Sequence, residues 1–481
     1  MKVCIVGSGT SGLIAGIILK THLNIKVDIL YSDSIGIIGV GEGVTEHFND
    51  FMQFCGIGHK DIIKSCDATL KSAVIFDKWT EEPYMNNIGY PFMDTIGQYN
   101  YVYGHQISNN SKYLHPRHLW DSLVPEYFLE NIELPPFNQY HFNTFKLNNF
   151  LKEFAKKIGI NFYEDKINTI NFLENGNIKS LIGNKKEYNY NFYIDSTGFS
   201  KFLITQMGAK WQSYSKYLSL NSAIVFQTPD EENYNMWSYS RAMKSGWMFR
   251  TPVWGRYGNG YIYDDSFIQP DEARIECENI LLQDITIGNK FKFDPGCLDK
   301  AWIKNCCAIG LSAGFVEPME ATAIGSSIQQ AFLLMHKITN YNNKDIENYN
   351  KSYNDIMSNI RDFIVLHYLI DKKDTPFWEK ATSMAVPDSL SERLLVWENR
   401  LPILEDFNDL TSYIMFADKH FLLILEGIGF FNKKSIKNNH LKINLSMQNN
   451  AKQIIDEIIK YEKTTSFIKH KDYLNFIRNY K

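Results

Sequence analysis

Three glycines near the start of the chain have the spacing that binds a dinucleotide pyrophosphate. Gly7, Gly9 and Gly12 follow the apolar run Val3 to Val6 and lead into an apolar helical pattern. Gly7 permits a sharp turn from strand to helix, Gly9 lets phosphates approach the backbone, and Gly12 allows the helix to pack closely on the strand. The free amides and the dipole at the helix start favour phosphate charge. The pattern predicts a nucleotide site, and a plain glycine-rich turn is the alternative.

Further candidates for cofactor contacts lie at the ends of the next predicted strands. An acidic residue usually holds the ribose after the second strand, and Asp33 stands one or two residues beyond that position. A glycine-rich segment follows at 39–43, and two later apolar runs lead into Asp195 and Gly310. The predicted cofactor-binding residues are Gly7, Gly9, Thr10, Ser11, Gly12, Asp33, Gly39, Val40, Gly41, Glu42, Asp195, Gly198 and Gly310.

Two charged residues stand among apolar neighbours. The segment DATLKSAVIFDKW (67–79) alternates like a strand, which places Lys71 on one face with Ala73 and Ile75. An isolated lysine is usually a solvated charge, whereas a buried lysine is kept for chemistry. Glu320 stands at the start of an expected helix, where an acid commonly does no more than complement the helix dipole. The pattern alone therefore favours a structural role for both residues.

Bulk properties restrict the classes of partner. The 481 residues suggest about three folding units. A net charge of -4 provides no field that would gather nucleic acid or an anionic membrane, so small molecules are the expected partners. The seven cysteines form no CxxC pair and no metal-ligand spacing, which favours a reduced, cytoplasmic protein without a metal. The first strand leaves no room for a signal peptide, and no apolar run could span a bilayer.

Local patterns predict several elements along the chain. We expect a helix over 140–159, a hairpin within 245–265 that turns at Gly258 to Gly260, and a surface loop at 432–450. The glycine fingerprint, the strand before Asp195 and the strand before Gly310 are far apart in sequence, yet all three are expected at one site. This discontinuity implies two interleaved lobes.

Five motifs together carry a resemblance over nearly the first 370 residues. GVGEGVTE is similar to the glycine-rich GVGEATxP segment of the flavin-dependent halogenases of the tryptophan-halogenase type, and DATLKSAVIFDKW resembles their strand with the catalytic lysine. SGWMFRTPVWGRYGNGYIYDD resembles their GWxWxIP segment, and FVEPMEATAI resembles FVEPLESTGI. IRDFIVLHY also fits. A joint match of this kind is specific.

The resemblance implies an α/β fold of the FAD-dependent monooxygenase type. A Rossmann-type FAD-binding lobe would be interleaved with a β-sheet substrate lobe and followed by a helical C-terminal region. The expected FAD-binding lobe comprises 1–80, 136–210 and 296–370. The expected substrate lobe comprises 81–135 and 211–295, and the mainly helical region is 371–481.

The resemblance also implies the chemistry. FADH2 from a separate flavin reductase, oxygen and a halide (chloride, bromide or iodide) would give hypohalous acid. Lys71 would either hydrogen-bond this oxidant or form a haloamine, and Glu320 would accept the proton lost from a small aromatic substrate. Thr322 and Ala323, at a helix start, would bind the halide. The implied substrate-side residues are Phe92, Trp247, Phe249, Pro318 and Met319.

The chain departs from the family pattern at the substrate side. Ala321 and Ala323 replace serine and glycine, and Phe249 replaces a tryptophan. The region that corresponds to a His-Pro-Phe turn contains Tyr90, Pro91 and Phe92 (YPF), and the C-terminal segment that holds tryptophan is not recognisable. These departures favour an altered pocket for indoles, phenols or other aromatics, and the abundance of Asn, Lys and Ile indicates an AT-rich genome, such as that of a virus.

Two alternatives stay open at the level of sequence. One is a flavin-dependent aromatic hydroxylase, although IGLSAG stands where such enzymes carry a Gly-Asp pair. The other is a flavin-binding protein without turnover. The residues also leave open whether the chain acts alone, as a homodimer or as a higher homo-oligomer.

Overall fold

The computed structural model describes residues 1–37, 39, 42–87, 99–109 and 116–480. Its strands are β1 (Lys2–Val6), β2 (Lys26–Tyr31), β3 (Glu42–Gly43), β4 (Thr69–Lys71), β5 (Ala73–Asp77), β6 (Tyr84–Asn86), β7 (Leu123–Pro125), β8 (Gln139–Phe142), β9 (Asn161–Glu164), β10 (Ile167–Phe172), β11 (Ile178–Gly183), β12 (Glu187–Tyr188), β13 (Phe192–Asp195), β14 (Trp211–Ser213), β15 (Ser222–Pro229), β16 (Trp237–Met243), β17 (Gly246–Val253), β18 (Arg256–Tyr263), β19 (Ile287–Lys292), β20 (Gly296–Leu298), β21 (Trp302–Ile303), β22 (Cys306–Ala308), β23 (Gly314–Phe315) and β24 (Phe467–Lys469). Its helices are α1 (Thr10–His22), α2 (His47–Cys55), α3 (His59–Ser65), α4 (Tyr99–Ser108), α5 (Arg117–Trp120), α6 (Thr144–Lys157), α7 (Phe202–Gln206), α8 (Pro270–Leu281), α9 (Thr322–Met335), α10 (Asn343–Leu366), α11 (Pro376–Ala381), α12 (Asp388–Trp397), α13 (Asp418–Gly427), α14 (Lys433–Lys442), α15 (Leu445–Thr464) and α16 (His470–Asn479).

A six-stranded sheet gathers distant parts of the chain. Its order is β21-β22-β13-β1-β2-β9, and the neighbours from β22 to β9 run parallel. Val6 lies opposite Asp195, which in turn lies opposite Ala308. The buried, β-branched strands are typical of a parallel sheet covered by helices, and α1 packs against both α6 and α9. The ends of the three predicted strands therefore meet at one sheet edge, as expected.

A seven-stranded sheet forms the second layer. Its order is β19-β15-β18-β17-β16-β5-β6, in which only the β16 and β5 pair is parallel. A small sheet, β3-β8-β4, lies beside it and pairs Lys71 with Gln139. Strands β4 and β5 are thus consecutive in sequence but belong to different sheets.

The structure corrects four local predictions. The strand predicted over 67–79 is broken at Ser72, whose amide and hydroxyl both donate to the Met236 carbonyl, at 2.6 and 2.9 Å. The hairpin turns at 254–255, not at Gly258 to Gly260, because Gly255 takes a φ of +88° and lets β17 pair with β18 up to Val253 and Arg256.

The other two corrections concern helix starts. The helix predicted over 140–159 begins at Thr144, because residues 139–142 form β8 and Asn143 caps α6. The Asn143 side chain accepts hydrogen bonds from the backbone amides of Phe145 and Lys146. The loop predicted at 432–450 is mostly helical, because Asn432 and Asn444 cap α14 and α15.

The C-terminal segment packs against earlier helices and strands. Helix α13 packs against β6, α14 and α15 pack against α4, and β24 pairs with β7. All seven cysteines are buried and free. Within the described ranges, no helix is long and apolar enough to cross a membrane, and no three His, Cys, Asp or Glu side chains are grouped as metal ligands would be.

Candidate active site

The start of α1 leaves its backbone amides open. A Cβ on Gly7, which has a φ of +113°, would lie 2.1 Å from the Ser196 carbonyl oxygen, and a Cβ on Gly12 would lie 2.2 Å from the Gly7 oxygen. Among described atoms, none comes within 4 Å of a Cβ on Gly9, and no described side chain caps the helix. Two glycines therefore serve packing, while Gly9 leaves space beside uncapped amides, which fits a pyrophosphate.

Two other predicted cofactor residues form contacts within the protein. Asp195 Oδ1 accepts hydrogen bonds from the Thr197 amide and hydroxyl, at 3.0 and 2.7 Å. Its Oδ2 accepts from the amides of Leu203 and Ile204, at 2.7 and 2.9 Å. A Cβ on Gly310 would lie 2.2 Å from Ser11 Oγ. Asp195 and Gly310 thus fix the loops beside the glycine fingerprint.

The remaining predicted cofactor residues differ in their surroundings. Asp33 is exposed in the turn after β2, and Gly198 takes a φ of +66° with open space beside it in the described part of the chain. Gly39 packs against Thr144, and Glu42 belongs to the short strand β3. Val40 and Gly41 lie outside the described residues.

Lys71 is buried at the end of β4, with only 2% of its surface exposed. Its Nζ donates a 3.1 Å hydrogen bond to the Val44 carbonyl. Burial lowers the pKa of Lys71 below the ordinary lysine value, and the carboxylates of Glu320 and Glu46 oppose this decrease. An amine that is desolvated in this way and faces two acids is unusual in a structural lysine.

Glu320 does not lie in the first turn of a helix, as the sequence suggested, but in the turn that precedes α9. Glu320 and Ala321 both have left-handed backbone conformations, with φ of +59° and +57°. Such conformations cost about 1–2 kcal/mol per non-glycine residue and are typical of functional sites. Glu320 is 7% exposed, and Thr322 and Ala323 begin the helix directly after it.

Two side chains that the sequence analysis missed hold one oxygen of Glu320. Asn86 Nδ2 donates to Oε1 at 2.9 Å, and His367 Nε2 lies 3.4 Å from the same oxygen. His367 Nδ1 donates to the Phe363 carbonyl at 2.8 Å, so a proton must lie between Nε2 and Oε1 for their contact to be attractive. The motif IRDFIVLHY contains His367 and could have indicated it.

A second carboxylate near Lys71, the half-buried Glu46, was also missed. It accepts a 3.1 Å hydrogen bond from Gln139 Nε2 and lies 3.1 Å from His420 Nε2. Burial would raise the pKa of Glu46, but the hydrogen bond and charge of His420 hold it well below the usual range. The signal was present in GVGEGVTE, where Glu46 stands at the proline position of the family segment GVGEATxP.

One predicted substrate-side residue, Trp247, contacts another buried acid, Glu317. Trp247 is buried, and its Nε1 donates to Glu317 Oε2 at 3.0 Å. Burial raises the pKa of Glu317 to about 7, although the hydrogen bonds from Trp247 and Tyr368 act to lower it. Phe249 is partly buried and lies 6.3 Å from Trp247 between ring centroids. Pro318 and Met319 form the turn before Glu320.

One predicted substrate contact cannot be placed. Phe92 lies outside the described residues. The structure therefore brings together Lys71, Glu320 and the start of α9, while the fingerprint glycines lie at the edge of the six-stranded sheet.

Known protein sequences resemble this chain over most of its length. A sequence profile described as tryptophan halogenase matches residues 2–441. The 7-chloro-L-tryptophan 6-halogenase KtzR of Kutzneria sp. (strain 744) is 29% identical over 450 residues, with 83% of this chain and 85% of the relative covered. The tryptophan 7-halogenase RebH of Lentzea aerocolonigenes is 28% identical, with 82% and 81% covered.

Solved structures share the fold over the whole length. The tryptophan 6-halogenase SttH from Streptomyces toxytricini superposes with a TM-score of 0.88 at 25% identity and covers 99% of each chain. A tryptophan halogenase from Shewanella frigidimarina gives a TM-score of 0.88 at 22% identity, with 100% and 98% covered. Because the profile match spans most of its length, the chain belongs to the tryptophan halogenase family.

Proposed function

We propose that the chain is an FADH2-dependent halogenase that modifies an electron-rich aromatic substrate between Lys71 and Glu320. The observation that carries the proposal is the burial of this lysine and this carboxylate within electrostatic reach of each other. The strained backbone at Glu320 and its fixation by Asn86 and His367 support it.

The chain offers a suitable site for FAD. The open amides after Gly9, at Thr10 and Ser11, would bind the pyrophosphate, and the exposed Asp33 would bind the ribose. When bound and reduced, FAD would supply two electrons to oxygen, and the oxidant so formed would take two electrons from a halide to give hypohalous acid and water. A separate flavin reductase supplies FADH2, and the amides of Thr322 and Ala323 at the start of α9 bind the halide.

Lys71 and Glu320 then act on opposite ends of the halogen transfer. The C–X bond forms with a pair of ring electrons while the O–X bond breaks, and Lys71 Nζ gives a proton to the departing hydroxide, which leaves as water. Glu320 takes the proton from the ring carbon, and the C–H electron pair restores the aromatic ring. Asn86 and His367 hold Oε1, and Oε2 has no hydrogen-bond partner within the described residues and receives the proton.

A second route for halogen transfer uses Lys71 as a nucleophile. A neutral Nζ would take the halogen as a haloamine and pass it to the ring, and the lowered pKa of Lys71 makes this form more accessible. Trp247 and Phe249 keep the substrate apart from the flavin in either route.

The test is a halide-dependence assay. FADH2, oxygen and indole or phenol are supplied with and without bromide, and products are identified by mass spectrometry. We expect a brominated product that requires bromide. A hydroxylated product with or without bromide would identify a hydroxylase, and unchanged substrate despite flavin oxidation would indicate a binding protein.

A further inference from the structure

Strand β6 carries two buried polar atoms beside Glu320 whose hydrogen-bonding capacity is unused. Tyr84 and Asn86 are 6% and 3% exposed. Tyr84 Oη and Asn86 Oδ1 have no hydrogen-bond partner in the part of the chain that the structure describes. A buried polar atom without a partner costs about 1–3 kcal/mol and is rare in folded proteins. Both atoms are therefore available to a ligand.

The chemistry of each atom is fixed by its neighbours. Asn86 Nδ2 donates to the Glu320 carboxylate, which can only accept, so the free atom of the Asn86 amide is its oxygen. Asn86 Oδ1 therefore requires a hydrogen-bond donor. Tyr84 Oη can donate or accept a hydrogen bond. Burial is the main cause that raises the pKa of Tyr84, and the nearby charge of Glu320 raises it further, so this hydroxyl stays protonated.

The two side chains share one face of the strand and are held in place. Residues two apart on a strand point the same way, with Cα atoms about 7 Å apart, so both side chains lie on the side of β6 that faces Glu320. The Tyr84 ring stacks on Phe76 at 4.8 Å between centroids. On α13, a Cβ added to Gly427 would lie 2.3 Å from Tyr84 Cδ2, so only glycine leaves room for this ring.

We propose that Tyr84 and Asn86 form a subsite that selects phenolic substrates, an inference that rests on the proposed function. The phenol O–H donates to Asn86 Oδ1, and the phenol oxygen accepts from Tyr84 Oη. An indole N–H satisfies Asn86 alone, and an aromatic without a donor satisfies neither. A site that buries such groups rejects ligands that leave them unpaired.

The test compares ligands of equal shape. Binding of phenol and fluorobenzene, and of indole and benzofuran, is measured by ligand-observed NMR titration of the protein saturated with oxidised FAD. With two net hydrogen bonds for phenol and one for indole, we expect phenol to bind about thirtyfold tighter than fluorobenzene, and indole about fivefold tighter than benzofuran. Equal affinities within both pairs would overturn the proposal.

Two variants separate the contributions. Tyr84→Phe lowers the preference for phenol about fivefold and leaves that for indole unchanged, whereas Asn86→Leu brings the indole preference close to one. Tyr263→Phe, a buried tyrosine of a separate apolar cluster, is the matched control and changes neither ratio. A phenol preference that survives Tyr84→Phe would remove Tyr84 from the subsite.

The proposed function is tested separately in the same samples. A diketone that traps hypohalous acid reports whether the wild-type protein makes the oxidant with FADH2, oxygen and bromide. Absent oxidant with intact ligand preferences would refute halogenation and keep the subsite. Trapped oxidant with equal ligand affinities would refute the subsite and keep halogenation.

Discussion

Replacement of Glu46 by glutamine tests how the protein controls the charge of Lys71. Glu46 directly precedes α2 and reaches Gln139, the strand partner of Lys71. Glu46→Gln keeps the shape of the side chain and removes one of the two carboxylates that oppose the desolvation of the lysine. The pKa of Lys71 must then fall further below the ordinary lysine value.

The size of this shift follows from Coulomb's law. Two unit charges about 8 Å apart interact by about 2 kcal/mol at an effective dielectric constant of about 20. Since 1.4 kcal/mol corresponds to about one pKa unit, a decrease of about 1.5 units is expected.

The assay is the pH profile of kcat/KM for bromination between about pH 6 and 10. Loss of a carboxylate shifts the limb set by Lys71 to lower pH by about 1.5 units. A shifted alkaline limb shows that the ammonium form acts as a hydrogen-bond donor, and a shifted acid limb shows that the neutral amine takes the halogen.

The control is a charge change on α2, the helix that Glu46 precedes. Asp50→Asn removes an exposed carboxylate that does not act on Lys71, and its profile should match that of the wild type. Unchanged limbs in Glu46→Gln, or a shift to higher pH, would refute the view that Glu46 sustains the charge of Lys71.

Three further predictions concern the cofactor site, a buried acid and the support of Glu320. Gly7→Ala lowers the melting temperature strongly because its Cβ would collide with the Ser196 carbonyl, whereas Gly9→Ala preserves the melting temperature and weakens FAD binding in a fluorescence titration. Glu317 has a pKa raised to about 7, so the folded state holds its proton more tightly than the unfolded state does. The free energy of unfolding therefore falls by about 3 kcal/mol as pH rises from about 4.5 to 7, and Glu317→Gln should flatten this decrease in urea unfolding curves. His367→Leu should lower kcat about 10- to 100-fold with little change in KM, because the buried Glu320 Oε1 loses a hydrogen-bond partner; an unchanged kcat in stopped-flow or steady-state assays would contradict that role.

The sequence predicted the parts of the molecule that local patterns encode. The glycine fingerprint, the strands that end at Asp195 and Ala308, and the helix start at Thr322 lie where expected. The family, the enzyme class and the α/β fold class are confirmed by the profile match and the structural likeness. The division into lobes and the roles of the site residues stay predictions.

The misses arise from contacts between distant segments. The strand at 67–79 breaks because Ser72 binds Met236, which no local periodicity reveals. Lys71, Glu46 and His420 belong to three separate stretches of the chain, and their proximity depends on the sheet β3-β8-β4 and on α13. In the sequence, each of these residues stands out only as an isolated polar position. Only the folded structure brings them close to one another.

The most direct measurement follows the fate of the oxidant in Lys71→Met, with Lys179→Met, an exposed lysine of β11, as the control. Flavin oxidation, hypohalous acid captured by the diketone trap and brominated indole or phenol are quantified in the same reaction. We expect Lys71→Met to oxidise FADH2 and release oxidant at the wild-type rate while brominated aromatic product falls at least 100-fold, and Lys179→Met to behave as the wild type. Product yield from Lys71→Met equal to that of the wild type would contradict the central claim that the buried lysine delivers the halogen.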